Sequence, residues 1–222
     1  MISPDHPQRR TRARRADGEQ SRAAILDAAA RLATVEGIAG LSIARLAGAV
    51  GMSKSGLFAH FGSKEELQLA TVETASLVFA ARVIEPAMAA GTGIERLRRL
   101  VTGYLAYVEA DTFPGGCFFA SALAEVDMQP GPVRDRLVRF LDDWLDRLAT
   151  AVRDAQAEGA IDGAEDPAQI AFEIEAALLL ANAQYVVART TEPIERARRA
   201  VHRCLTAATG PPPGSRPAPG SD

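Results

Sequence analysis

Three helix starts crowd into residues 42–63 of this 222-residue chain, and no other feature narrows its possible folds as much. Ser42 stands where an N-cap belongs, and Leu41 and Leu46 flank it at the two positions of a hydrophobic staple. Ser53 repeats the device with Met52 and Leu57. Ser63 opens a further helix, and Glu66 stands three residues on, as a capping box requires. The spacing predicts a tight cluster of short helices.

The remaining chain also reads as helix, turn, helix, with no internal repeat. Alanine and leucine dominate the apolar residues and aromatic residues make up only 5%, so no alternating β-branched or aromatic run suggests a strand. A first helix is expected over residues 20–36, where Ile25, Ala28, Ala29 and Leu32 recur at helical spacing and Gly37 supplies the stop. The helix from Ser63 should run to about Glu85, where Pro86 disturbs it. Further helices are expected over 94–110, 117–127, 133–158, 167–189 and 193–208. Within these, the stripe Leu137, Leu141, Trp144, Leu145, Leu148 and Val152 is amphipathic, and Asp166-Pro167 has the N-cap and N1 chemistry of a helix start. The helix over 167–189 is apolar on nearly every side between Ala176 and Ala183, so its own domain and a partner chain together should bury it. Residues 1–18 carry Arg9, Arg10, Arg12, Arg14 and Arg15 without apolar periodicity and are expected to form a disordered basic arm. Residues 210–222 form a Pro/Gly tail. The expected organisation is a head over 19–67 and a helical body over 68–209.

The net charge of −3 hides an uneven distribution. Residues 1–64 hold ten Lys and Arg against five Asp and Glu, while the remainder holds fifteen against twenty-three. A basic head on an acidic body suits a molecule of which only the head meets a polyanion. The two lysines, Lys54 and Lys64, both lie in that head. Two cysteines, Cys117 and Cys204, cannot staple a chain of this size, and the three histidines have no metal-ligand spacing, which suggests a reducing, cytoplasmic setting and no cofactor. No apolar run is expected to approach the length of a membrane span. No nucleophile–base pair, carboxylate dyad or phosphate-cradling glycine loop is recognisable, so an enzyme is poorly supported.

Residues 42–61, SIARLAGAVGMSKSGLFAHF, have the spacing of a DNA-binding helix-turn-helix. Gly51 falls where the turn needs a left-handed backbone, and Leu46, Val50, Met52 and Leu57 fill the space between the two helices. Ser53, Lys54, Ser55 and Gly56 open the second helix with hydroxyls, a cation and bare backbone. Gly56 costs a helix roughly 1 kcal/mol relative to alanine. It reflects either close approach to DNA or tight packing on a neighbouring helix.

With SRAAILDAAARLATVEG before this segment and GSKEEL after it, residues 21–67 resemble the TetR family of bacterial regulators. The resemblance implies an all-α fold, in which an N-terminal three-helix helix-turn-helix head precedes a larger helical ligand-binding and dimerisation body. It implies a homodimer that binds double-stranded operator DNA, a repressor released by a small-molecule effector. It further implies that Ser42 meets a phosphate, that Lys54, Ser55 and Gly56 face the major groove, and that Ser53, Phe58, His60 and Lys64 lie along the sugar-phosphate backbone. Phe58 departs from the family's usual tyrosine and can offer only apolar contact or packing.

In the body, FPGGCFFASALAEVD looks like one branch of the same family. The helices over 133–158 and 167–189 offer surfaces suited to a four-helix dimer interface. Candidates to line an effector pocket are Phe79, Tyr104, Tyr107, Phe113, Cys117, Phe118 and Trp144, together with Asn182, Gln184 and Tyr185. The same aromatic residues at helical spacing can be plain core. Cys117 has nothing basic beside it in sequence to make a thiolate. An all-helical protein–protein adaptor, or a regulator without ligand gating, remains the alternative.

Overall fold

The computed structural model describes residues 7–126 and 130–209. Residues 1–6 of the expected arm and the expected tail at 210–222 lie outside the described residues, as do the side chains of residues 7–17. Among the described residues the chain is helical throughout, with no strand. The helices are α1 (Pro7–Glu36), α2 (Ile43–Val50), α3 (Lys54–Phe61), α4 (Lys64–Phe79), α5 (Glu85–Met88), α6 (Gly93–Glu109), α7 (Phe118–Val126), α8 (Pro132–Ala157), α9 (Pro167–Ala188) and α10 (Glu192–Ala207).

Helix α1 begins thirteen residues before the start expected at Gln20. The cause is intrinsic propensity. Arginine, alanine and glutamine are good helix formers even without an apolar stripe, and Pro7 suits a first helical position. Between α4 and α5 the chain makes one π-helical turn, Ala80–Ile84, just ahead of Pro86. Proline lacks the N–H for the helical ladder and its ring crowds the carbonyl four residues back, so a widened turn is the expected response.

The chain divides into two compact units. Unit 1 comprises residues up to Leu77 together with Phe113–Leu137, and unit 2 comprises Val78–Thr112 and the residues from Val138 onward. The chain thus passes from unit 1 to unit 2 inside α4, returns in the turn between α6 and α7, and passes to unit 2 again inside α8. Unit 1 has a core built from every helix of the head: Ile25 and Ala29 of α1, Leu46 and Ala47 of α2, Leu57 and Phe61 of α3, and Leu67 of α4. Residues 113–126 join this unit, although their sequence suggested the body. The N–H of Gly115 donates to the Thr34 hydroxyl at 3.2 Å, and a Cβ at residue 115 would stand 1.9 Å from the Thr34 carbonyl oxygen, so only glycine fits. From α7, the Glu125 carboxylate accepts the Ala39 N–H at 3.2 Å.

Unit 2 is built on α6, α8, α9 and α10. Helix α9 buries Ile170, Ile174, Leu178, Ala181, Asn182 and Tyr185 along one side. Its C-terminus is fixed by Arg189, which adopts a left-handed backbone and pairs with Asp111 at 2.9 Å. By length and composition alone, Lys64–Met88 and Pro167–Ala188 would be long and apolar enough to cross a membrane, which corrects the expectation that no run comes near. Each buries a face on neighbouring helices, as the core helix of a folded domain does.

Candidate nucleic-acid interface

Local chemistry sets up α2 and α3. The Ser42 side chain accepts the Arg45 N–H at 3.3 Å, and the Ser53 side chain accepts the Gly56 N–H at 3.1 Å. Each cap satisfies one of the backbone donors that a helix start leaves unpaired. Between the two helices Gly51 takes φ 68°, and the Met52 N–H closes onto the Ala47 carbonyl at 3.0 Å. Leu46, Leu57 and Phe61 then lock the pair onto α1 and α4. Glu36 of α1 receives Arg45 of α2, with Nε at 2.7 Å from Oε2, and that guanidinium holds the Glu36 carboxyl below its ordinary pKa.

With its apolar side committed to the core, α3 turns Ser53, Lys54, Ser55 and Phe58 to solvent. Phe58 is 54% exposed, so it is not packing inside the domain. Ser42, Gly56 and His60 are half-buried. A Cβ at Gly56 would lie 3.1 Å from the Ser53 Oγ, so glycine here relieves crowding against the cap. Lys64 is exposed, but its ammonium donates to the Ala39 carbonyl at 2.6 Å. Gln68 donates to the neighbouring Ile38 carbonyl at 2.6 Å, so the turn between α1 and α2 is held from α4.

One positioning residue was not legible in the sequence. The Arg22 guanidinium donates to the His60 carbonyl and lies 4.4 Å from the centroid of the Phe61 ring. It therefore places a cation at the C-terminal end of α3, where unpaired carbonyls and the helix dipole favour it. The Arg22→Ala variant should bind duplex DNA about tenfold more weakly, by the same factor on every sequence and with an unchanged salt slope. Fluorescence anisotropy on several duplexes at three salt concentrations checks this. A loss confined to some sequences would show that Arg22 reads bases instead.

The body candidates separate. Phe79, Tyr104, Tyr107 and Trp144 come together in unit 2, where Phe79 meets Tyr107 at 5.5 Å and Trp144 at 5.3 Å, edge to face. Trp144 also stacks with Tyr104 at 6.2 Å, and its indole N–H donates to Glu175 at 2.7 Å. Asn182 and Tyr185 are buried on α9 of the same unit, and the Tyr185 hydroxyl donates to the Glu109 carbonyl at 3.2 Å. Gln184 does not join them. It lies on the exposed side of α9 with Ala183 and Val187, because two residues along a helix turn a side chain to the opposite side. Phe113, Cys117 and Phe118 fall in unit 1, where Phe113 and Phe118 pack at 6.1 Å. Among the described residues neither cysteine forms a disulfide. Cys117 is buried, and the Cys204 thiol is pushed up to about 12, by burial first and then by the Glu173 carboxylate that accepts its S–H at 3.2 Å.

Two family models match the chain in succession. Residues 25–71 match "Bacterial regulatory proteins, tetR family", and residues 93–201 match "Tetracyclin repressor-like, C-terminal domain". The chain belongs to the TetR family. This TetR-family protein is a DNA-binding transcriptional regulator, with a helix-turn-helix head followed by a helical C-terminal body. Among solved structures it is similar to a TetR transcriptional regulator from Chloroflexus aurantiacus J-10-FL, at 26% identity and a TM-score of 0.78, over 87% of this chain and 96% of that one. It shares its fold with AibR, solved with isovaleryl coenzyme A and operator DNA, at 24% identity and a TM-score of 0.66, over 82% and 97% of the two chains. Escherichia coli NemR in its reduced form also shares the fold, at 22% identity and a TM-score of 0.70, over 83% and 96%. No curated protein sequence matches the chain.

Proposed function

We propose that this TetR-family regulator is a repressor that holds a pseudo-palindromic operator as a homodimer and leaves it when a small molecule binds the body. The observation that carries the DNA side is the outward face of α3, where Lys54 and Ser55 project from a helix whose cap and apolar side are both already engaged. Such a helix can enter a major groove, with Lys54 reaching base edges and Ser53, Phe58 and His60 following the backbone. Ser42 and Lys64 flank it as phosphate contacts, and the Lys64 ammonium keeps two donors beyond the one spent on Ala39. We place the protein in the bacterial cytoplasm, with the DNA it binds.

Release follows from linkage. Two recognition helices of a dimer fit one duplex face only when about 34–36 Å apart. A ligand that binds better to a body conformation with another spacing draws the dimer away from DNA by its difference in affinity. The aromatic set of unit 2, with Asn182 and Tyr185, is the proposed region for that ligand. The ligand and operator bound to AibR support this mode of control by analogy of fold.

Selection of bound duplexes from a random pool tests the DNA reading. The Lys54→Ala protein should select an altered base at one or two positions of each half-site, with discrimination there falling about fivefold or more. The Lys64→Ala protein should select the wild-type sequence, bind it more weakly, and lose about one from its salt slope. A protein-docking head would show no selection at all.

A further inference from the structure

A groove of about 300 Å³ runs between α6 and α10 in unit 2, apart from the aromatic set. Its floor is apolar, formed by Val101, Val201 and Leu205, each about 95% buried. Its ionisable lining residues are Arg98, Arg198 and His202, with no carboxylate among the residues that line it. That is the reverse of unit 2 as a whole, which has more acidic than basic residues. The two arginines differ. Arg198 is already neutralised, with Glu109 at 3.1 Å and Glu195 at 3.3 Å. Arg98 has no ion-pair partner among the described residues, and the nearby Glu95 is taken by Arg99.

From these features we infer a second small-molecule site that takes an amphipathic monocarboxylate, its apolar chain on the Val101–Val201–Leu205 floor and its anionic end at Arg98. Burying a chain on that floor removes apolar surface from water. A carboxylate at a guanidinium without a partner gains a charge-assisted hydrogen bond that an alcohol makes only weakly and an amine cannot make. The volume lies at the lower end of small-molecule sites, so a single unbranched chain fits it better than a ring system. The site stands independently of the effector region proposed above, since none of the aromatic set lines it.

Isothermal titration of the full-length protein with decanoate, decan-1-ol and decylamine, each below its micellar range, tests the site. Decanoate should bind one per chain and at least about tenfold more tightly than the other two. Arg98→Ala should weaken decanoate about tenfold or more. Thr206→Trp fills the groove from an exposed position of its rim, so it should abolish binding while leaving the melting temperature unchanged. Equal binding of decanol or decylamine would overturn the charge assignment. Unchanged decanoate affinity in both variants would place the ligand elsewhere and overturn the site. A chain ending at Thr209 with an amidated C-terminus, which adds no carboxylate to the groove that Thr209 lines, should bind decanoate as the full chain does. At least about tenfold tighter binding would make residues 210–222 the groove's occupant and overturn the assignment to a small ligand.

Discussion

Replacing Phe172 and Leu180 together by glutamate should halve the mass of this regulator in solution and weaken its operator binding about a hundredfold or more. Along α9, Phe172, Leu179, Leu180 and Val187 recur at helical spacing on the side opposite the buried residues, and all are exposed, Phe172 at 65% and Val187 at 86%. A stripe of this kind on one helix is unusual for a surface that meets only water. The outward positions of α8 differ, being charged at Arg139, Asp142, Asp143, Asp146, Arg147 and Arg153. The proposed dimer surface is therefore centred on α9. Under a two-fold axis each substituted carboxylate faces a copy of the same patch, so the double variant sets like charges together in a desolvated seam. DNA binding falls because two half-sites are then engaged independently. Sedimentation equilibrium gives the mass, and anisotropy on full and half operators gives the binding. The variant head should still bind a half-site as the wild-type head does, which separates lost dimerisation from lost folding. A double variant that stays dimeric would remove α9 from the interface.

The parts of this fold that were legible in the sequence are those set by neighbours along the chain. Ser42, Ser53, Asp166 and the Gly51 turn act over two to five residues, and each stands where its local chemistry placed it. The two-sided character of α9 was readable for the same reason, since apolar residues at both i+4 and i+5 spacings cannot share one face. What was not legible depends on distant pairs. Gly115 meets Thr34 across 81 residues and Arg22 meets His60 across 38, and neither residue type in its local setting announces its partner. Without the first contact, residues 113–126 read as body. Without the second, nothing local set Arg22 apart from the other arginines of the head. Gln184 parts from the aromatic set for a different reason: its polarity in an apolar helix suggested a ligand, and the helical period puts it on the exposed side.

Glu175 leads to the second large effect, on stability against pH. It lies on α9 beneath Trp144, and burial pushes its carboxyl up to about 7, a rise that the indole hydrogen bond reduces without cancelling. In the unfolded chain the same carboxyl titrates near 4.5. An acid whose pKa rises on folding favours the fold while protonated. Its contribution is complete below about pH 4.5 and is lost as the pH rises through 7. Each tenfold gain in proton affinity on folding is worth about 1.4 kcal/mol, so the loss amounts to roughly 3 kcal/mol, enough to matter for a domain of ordinary stability. Glu175→Gln keeps an acceptor for the Trp144 N–H and removes the charge. The variant should match the wild type near pH 4 and exceed it by roughly 3 kcal/mol at pH 8 in urea unfolding, with the difference growing between those values. Trp144 is the chain's single tryptophan, so its fluorescence should report the same titration, with a midpoint near 7 that the variant lacks. A difference in stability between wild type and variant that stays level from pH 4 to 8 would mean that Glu175 is ionised throughout, with water reaching it between α8 and α9.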